Sequence, residues 1–170
     1  LAGAELRIVG ALGDEPGNIQ VRGPMLMSGY WRGEGRALDG ATDAEGWFET
    51  GDLGTLDEAG RLHVASRRSD LIVTGGENVY PLEVEQVMAS LPFVRAALVF
   101  GVPDERWGQV VAVALEIEGE LDEGALVALF VERLAPHKRP RWLCVVEALP
   151  RKGPGKLDRA GAAERHAREL

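Results

Sequence analysis

Ser66-Arg67-Arg68-Ser69-Asp70-Leu71-Ile72-Val73-Thr74-Gly75-Gly76-Glu77-Asn78-Val79-Tyr80-Pro81 decides how the rest of the chain is read. A charged run, Arg67 to Asp70, precedes a short apolar strand, Leu71-Ile72-Val73. A Gly-Gly turn then leads into a helix opened by Pro81. Adjacent glycines permit positive φ and let another molecule come close to the backbone. Pro81 suits the first helical position, and Glu83 and Glu85 complement the positive end of the helix dipole. On local chemistry alone the stretch also reads as an ordinary strand–turn–helix connection with solvated charges.

The sequence changes character on either side of this stretch. Upstream, Leu6 to Val9 and Asn18 to Arg22 alternate as strands do, separated by Gly13, Pro16 and Gly17. Gly23-Pro24 and Gly29-Tyr30-Trp31 carry turn chemistry, and Trp47 to Thr50 is a further short strand. Gly51 to Gly54 then leads to a hairpin with Asp57 to Gly60 as its turn and Arg61 to Val64 as its return strand. Short strands with close-set turns predict a small barrel or sandwich lobe.

Downstream, helical periods alternate with strands. Val84, Val87, Met88 and Leu91 fall on one helical face. Phe93 to Val102 and Val110 to Ile117 read as buried strands. Asp122 caps a helix carrying Leu126, Leu129, Phe130 and Leu134, and Pro136 ends it. Trp142 to Val146 is a third strand, Pro150 to Gly155 a Gly/Pro loop, and Asp158 to Leu170 a polar, Ala-rich helix. The expected class is α+β: residues 1–66 a β-rich lobe, 67–70 a junction, and 71–170 an α+β domain with a short sheet flanked by helices.

Composition narrows the function. The net charge is −8, with 27 acidic against 19 basic residues. That disfavours a general nucleic-acid or membrane-surface binder, although a local basic patch can still hold an anion. Cys144 is the single cysteine, so no intrachain disulfide forms, which fits a reducing, cytoplasmic setting. It lies in an apolar run and reads as core filler. No run reaches transmembrane length. The first residue is Leu and the chain opens within strand-like sequence, so a fragment or processed piece is expected. His63, His137 and His166 are scattered, without zinc-ligand spacing, and no metal site is expected.

A few residues stand out chemically. Asp52, beside Gly51 at a strand end, can accept two hydrogen bonds from a vicinal diol, or can bond its own turn. Arg67, beside the junction, can bridge a diol or phosphate and a carboxylate. Trp107 offers a face for stacking on a base, or is a packing group. His137-Lys138-Arg139 can pair with phosphates, or complement the negative end of the preceding helix. Lys156 is one of only three lysines against sixteen arginines, and sits between Gly155 and Leu157. That suits a compact point charge on a flexible stem. The loop is not a phosphate-binding P-loop, since no glycine stands five before Gly155 and no Ser/Thr follows the lysine.

Taken in order, these segments resemble the acyl-adenylate-forming ligases: acyl-CoA synthetases, luciferases and peptide-synthetase adenylation domains. The Arg67-to-Pro81 wording most resembles the 2-succinylbenzoate–CoA ligases of menaquinone synthesis. The resemblance implies an ATP-dependent, AMP-forming carboxylic acid–CoA ligase. By it, Asp52 in Thr50-Gly51-Asp52 holds the ATP ribose, and Arg67 is a second nucleotide contact, with Ser66 where relatives carry glycine. Ser69 takes the place of the usual Asp or Lys at the hinge of domain rotation, with Asp70 following. Gly75, Gly76 and Glu77 resemble the loop lining the pantetheine tunnel, and Trp107, Lys138 and Arg139 are candidate CoA contacts. Lys156, in a Pro-x-x-x-x-Gly-Lys-x-x-Arg motif ending at Arg159, resembles the catalytic lysine of adenylation. There it bridges the substrate carboxylate and the α-phosphate, where charge builds in the transition state.

The family's Ser/Thr/Gly-rich phosphate loop and acyl pocket lie upstream of the matched region. The 170 residues alone are therefore expected to be inactive, with Mg²⁺ bound alongside ATP by ligands upstream of this chain. Expected partners are a small carboxylic acid, ATP, CoA and an upstream large domain of the same protein, with a homodimer left open. A fatty- or aryl-acid ligase is the alternative substrate class. A non-catalytic module binding CoA or adenylate is the alternative function.

Overall fold

The computed structural model describes residues 3–11, 13, 15–30, 40–154 and 156–166. Trp31, Gly155 and residues 167–170, assigned above to a turn, a loop and a helix, lie outside the described residues. The protein is mixed α+β and divides into two compact units, residues 1–69 and 70–170.

In the first unit, β1 (Glu5–Val9), β2 (Gly17–Arg22), β3 (Phe48–Leu56) and β4 (Leu62–Arg67) form one antiparallel sheet in sequence order. Leu6 pairs with Val21 and Ile8 with Ile19, so the apolar alternation of β1 and β2 falls on one face. The other face carries a polar ladder: Arg7 donates to Gln20, and Gln20 to Glu49, each at 2.7 Å. Arg7 and Arg22 both lie over the Trp47 ring, 4.1 and 4.6 Å from its centroid. Such cation–π contacts let a large aromatic be buried beneath charge.

The expected barrel or sandwich is corrected to a single four-stranded sheet among the described residues, because each strand pairs only with its neighbours in sequence. Gly51 to Gly54 also do not lead out of a strand; they lie inside the nine-residue β3. The Asp57–Gly60 turn forms as read, with Asp57 Oδ1 accepting the Ala59 and Arg61 amides at 3.0 and 2.8 Å.

In the second unit a five-stranded sheet contains β5 (Ile72–Thr74), β6 (Glu77–Val79), β7 (Val94–Asp104), β8 (Gly108–Ile117) and β9 (Trp142–Val145). Their order is β6-β5-β8-β7, with β9 parallel to β8 and the other pairings antiparallel. The parallel pair needs a crossover, which α2 (Glu123–Arg133) supplies. Asp122 caps α2, its Oδ1 accepting the Ala125 amide at 2.8 Å.

Period-two alternation in β7 and β8 splits the core in two. Val99, Val111, Val113 and Leu115 face α1 (Pro81–Met88) and α2, packing on Val84, Met88, Leu126 and Phe130. Leu98, Phe100, Val102, Val110, Ala112 and Ala114 face the other way, with Leu149 and Ala162 of α3 (Arg159–His166). Full burial of such side chains is worth about 1.5–3 kcal/mol each, so β8, covered on both faces, anchors the unit.

Two details of the opening stretch differ from the sequence reading. The Gly-Gly turn does not run directly into the helix, because Glu77–Val79 turns back as β6 and pairs with β5. Pro81 then opens α1 as expected. Glu83 and Glu85 do more than complement the helix dipole, since each is engaged by a cation from later in the chain.

Candidate functional site

Thr50-Gly51-Asp52 forms a built irregularity in β3. Asn18 pairs with Leu53 and Gln20 with Glu49, so the three residues between stand against the single Ile19. Gly51 has φ +76°, which a side chain would resist. Thr50 Oγ1 donates to the Ile19 carbonyl at 2.8 Å and accepts the Asp52 amide at 3.1 Å. The bulge thus fixes where Asp52 points. Asp52 stands directly opposite Arg67 on β4, with Arg67 Nε 3.1 Å from Asp52 Oδ1. It is a mid-strand residue rather than one at a strand end. Ser66 continues β4 opposite Leu53 without positive φ, so the backbone here needs no glycine. Ser69 and Asp70 follow in a 3-10 turn, Arg68–Asp70.

A second cluster lies in the other unit. Gly75, Glu77, Trp107 and Arg139 line a cavity of about 300 Å³ together with Thr74, Val111, Pro136, His137 and Arg141. The Gly75 amide donates to the Trp107 carbonyl at 2.9 Å. A Cβ on Gly75 would stand 2.6 Å from Trp107 Cε3, so bare backbone is what admits the indole. Arg106 and Arg141 lie 5.0 and 4.9 Å from the Trp107 ring centroid. The cavity therefore combines an aromatic face, bare backbone and several cationic groups, a chemistry suited to a nucleotide phosphate on a slender chain.

Lys138 does not line this cavity. Its Nζ reaches both carboxylate oxygens of Glu83, at 2.7 and 2.8 Å. Arg139 also donates to the Leu134 and Val131 carbonyls at the end of α2, at 3.0 and 3.2 Å, so it caps that helix while lining the cavity. Arg141 was not singled out from the sequence. Its signal was the extension of the basic knot by two residues, through Pro140.

Lys156 is exposed on a loop closed by the Arg151–Leu157 bridge and by the Lys152 amide on the Lys156 carbonyl at 2.8 Å. Leu157 packs under α3 against the second core. Lys156 does not line the cavity at Gly75. Among the described residues no cluster of His, Cys, Asp or Glu is built to hold a metal ion. Among the described residues, no helix is long and apolar enough to cross a membrane.

Residues 83–156 match the family described as AMP-binding enzyme C-terminal domain. A 2-succinylbenzoate–CoA ligase of Listeria monocytogenes is 40% identical over 154 residues, covering 91% of this chain and 32% of the relative. The o-succinylbenzoate CoA synthetase of Bacillus subtilis, solved with the acyl-adenylate intermediate OSB-AMP, superposes with TM-score 0.85 at 41% identity, covering 95% of this chain and 34% of that one. The same synthetase, solved with ATP and magnesium ion, gives TM-score 0.81 at 41% identity over 94% of this chain and 34% of that one. The amide bond synthetase McbA of Marinactinospora thermotolerans gives TM-score 0.85 at 37% identity, covering 98% and 35%. The chain thus spans about a third of the length of the relatives it matches.

Proposed function

We propose that the chain is the C-terminal part of an AMP-forming carboxylic acid–CoA ligase, since residues 83–156 match the AMP-binding enzyme C-terminal domain family and most of the chain is similar to about a third of several acid–CoA ligases. The preferred acid is 2-succinylbenzoate, which makes the reaction a cytoplasmic step of menaquinone synthesis. The observation that carries this reading is the Asp52–Arg67 pair, set opposite each other by a bulge that leaves both accessible. A carboxylate with an adjacent guanidinium accepts from a ribose diol while meeting its phosphate.

Two half-reactions follow. A substrate carboxylate oxygen attacks the α-phosphorus of ATP, the bond to the β-phosphate oxygen breaks, and pyrophosphate leaves. Mg²⁺ enters with the nucleotide and neutralises phosphate charge, and no residue of this chain is assigned to it. Lys156 stabilises the charge that builds between carboxylate and α-phosphate. The unit beginning at Asp70 then turns about Ser69 and Asp70, withdraws Lys156, and presents Gly75, Gly76 and Glu77 to the thiol arm. The CoA thiol attacks the acyl carbon and AMP leaves. Trp107, Arg139 and Arg141 hold the CoA nucleotide in the cavity beside Gly75. The 170 residues by themselves turn over nothing, since they amount to a third of the relatives' length.

The test is pyrophosphate release from ATP by the full-length parent with a panel of 2-succinylbenzoate, fatty acids and aryl acids. Turnover with 2-succinylbenzoate alone supports the reading. Turnover with another acid moves the substrate and keeps the ligase. No release with any acid, together with retained CoA or AMP binding, replaces the ligase with a binding module.

A further inference from the structure

Arg159 is the first residue of α3 and stands three residues after Lys156. Its guanidinium reaches three places at once. Nη2 donates to both carboxylate oxygens of Glu85 on α1, at 2.6 and 2.8 Å. Nε donates to the Val99 carbonyl on β7 at 3.2 Å. Nη1 lies 3.6 Å from Oδ2 of Asp70, the first residue of the second unit. Glu85 in turn accepts the Val99 amide at 2.9 Å, which closes the set on itself. The Arg159 and Glu85 side chains are 23% and 12% exposed. A planar fork can serve two carboxylates and a carbonyl together; a lysine ammonium cannot match that geometry.

Stability alone explains this cluster poorly. Leu157, Ala162 and Ala163 already bury the contact of α3 and its approach with the sheet, and a largely buried ion pair gains little over apolar packing. What the cluster does fix is position. Upstream of Lys156 the loop carries Gly153 at φ +87°, and Lys156 itself is exposed. Downstream, Asp158 caps α3 through the Gly161 amide at 3.0 Å, and Arg159 is held from three sides. The loop that carries Lys156 therefore has one firm end.

We propose that Arg159 is a positioning residue for Lys156: clamped by Glu85, the Val99 carbonyl and Asp70, it sets where the lysine loop stands on its unit and ties that loop to the residue at the unit boundary. This rests on the adenylation role given to Lys156 above. A catalytic group displaced by about 1 Å loses on the order of 100-fold in rate.

The experiment measures both half-reactions in the full-length parent, Lys156→Ala, Arg159→Lys and Glu85→Gln. Arg159→Lys keeps the charge and loses the fork. Glu85→Gln keeps an acceptor for Val99 and decides the matter should Arg159→Lys fold poorly. The expected result is that kcat for pyrophosphate release falls about 10- to 100-fold in both variants with the KM for ATP within about threefold. Conversion of preformed acyl-adenylate and CoA to thioester should stay within about twofold. Equal loss in both half-reactions, tracking a fall in Tm, would make Arg159 merely structural and overturn the proposal. Parent-like adenylation in both variants, with Lys156→Ala inactive, overturns it too and leaves the functional reading standing. Parent-like adenylation by Lys156→Ala would sink that reading, and this inference with it.

Discussion

Asp52 and Arg67 face each other across β3 and β4, with the guanidinium Nε 3.1 Å from a carboxylate oxygen. The side chains are 30% and 59% exposed, and pairs this open contribute about 0–1 kcal/mol to stability. The pair orients two groups more than it holds the sheet together. Arg67→Ala should therefore change folding stability by less than about 1 kcal/mol. In the full-length protein Asp52→Ala and Arg67→Ala should each weaken ATP binding about tenfold or more, by roughly the 1.5–3 kcal/mol of a charged hydrogen bond. The double variant should lose less than the sum, because the two groups share one ligand and each other. Calorimetric titration of the four proteins checks this, and strict additivity would mean that they act separately.

Gly75 is held by two independent constraints, φ +60° and the Trp107 ring where a Cβ would go. Gly75→Ala should destabilise the second unit by about 1–3 kcal/mol, from left-handed strain plus the displaced indole. In a Trp107→Ala background the clash is gone and the strain remains, so Gly75→Ala should cost less there than in the parent. Denaturant midpoints for the two single variants and the double variant give the partition. An unchanged midpoint in Gly75→Ala would show that the turn re-forms elsewhere.

The second unit was legible in the sequence wherever one period governed an element. The Val99/Leu98 alternation, the α2 cap at Asp122 and the Pro81 start all follow from short-range rules. β6 was not, because Glu77-Asn78-Val79 is too short for a period and its strand character comes from pairing with β5. The first unit reads as a barrel or sandwich because turn spacing fixes strand count, while sheet closure depends on pairings no local pattern encodes. At the site, the Thr-Gly-Asp and Gly-Gly segments stand out through their glycines and through the family motifs they resemble. The contacts around Gly75 are not local: Trp107 against Gly75 and Arg141 over Trp107 join residues 32 and 34 positions apart.

Arg141 and Arg139 separate binding from folding. Arg141 lies over Trp107 and lines the cavity, whereas Arg139 lines it and also caps α2 through two carbonyls. In the full-length protein Arg141→Ala should raise the KM for CoA about tenfold, as loss of one charged hydrogen bond to a phosphate would. Its Tm should stay close to that of the parent. Arg139→Ala should raise the KM and lower the Tm together, since carbonyls at a helix end lose their donor. The KM effect should shrink with added salt, which screens phosphate contacts. A normal KM in Arg141→Ala would place the CoA phosphates elsewhere.

The β3–β4 turn should carry an acid-sensitive share of stability. The Arg61 amide above all, then His63 and the Arg61 guanidinium, hold the Asp57 carboxyl down to about 2 from an ordinary 3.8. A carboxyl lowered on folding stabilises the folded state above its unfolded pKa, and that share is lost as pH falls through the folded one. Asp57→Asn should thus lower the Tm of the transition that melts the first unit between pH 5 and 7. The gap to the parent should narrow below pH 4 and close near pH 2, where the parent carboxyl also becomes neutral. A gap that stays constant from pH 7 to pH 2 would mean that Asp57 acts through its turn geometry alone and not through its charge.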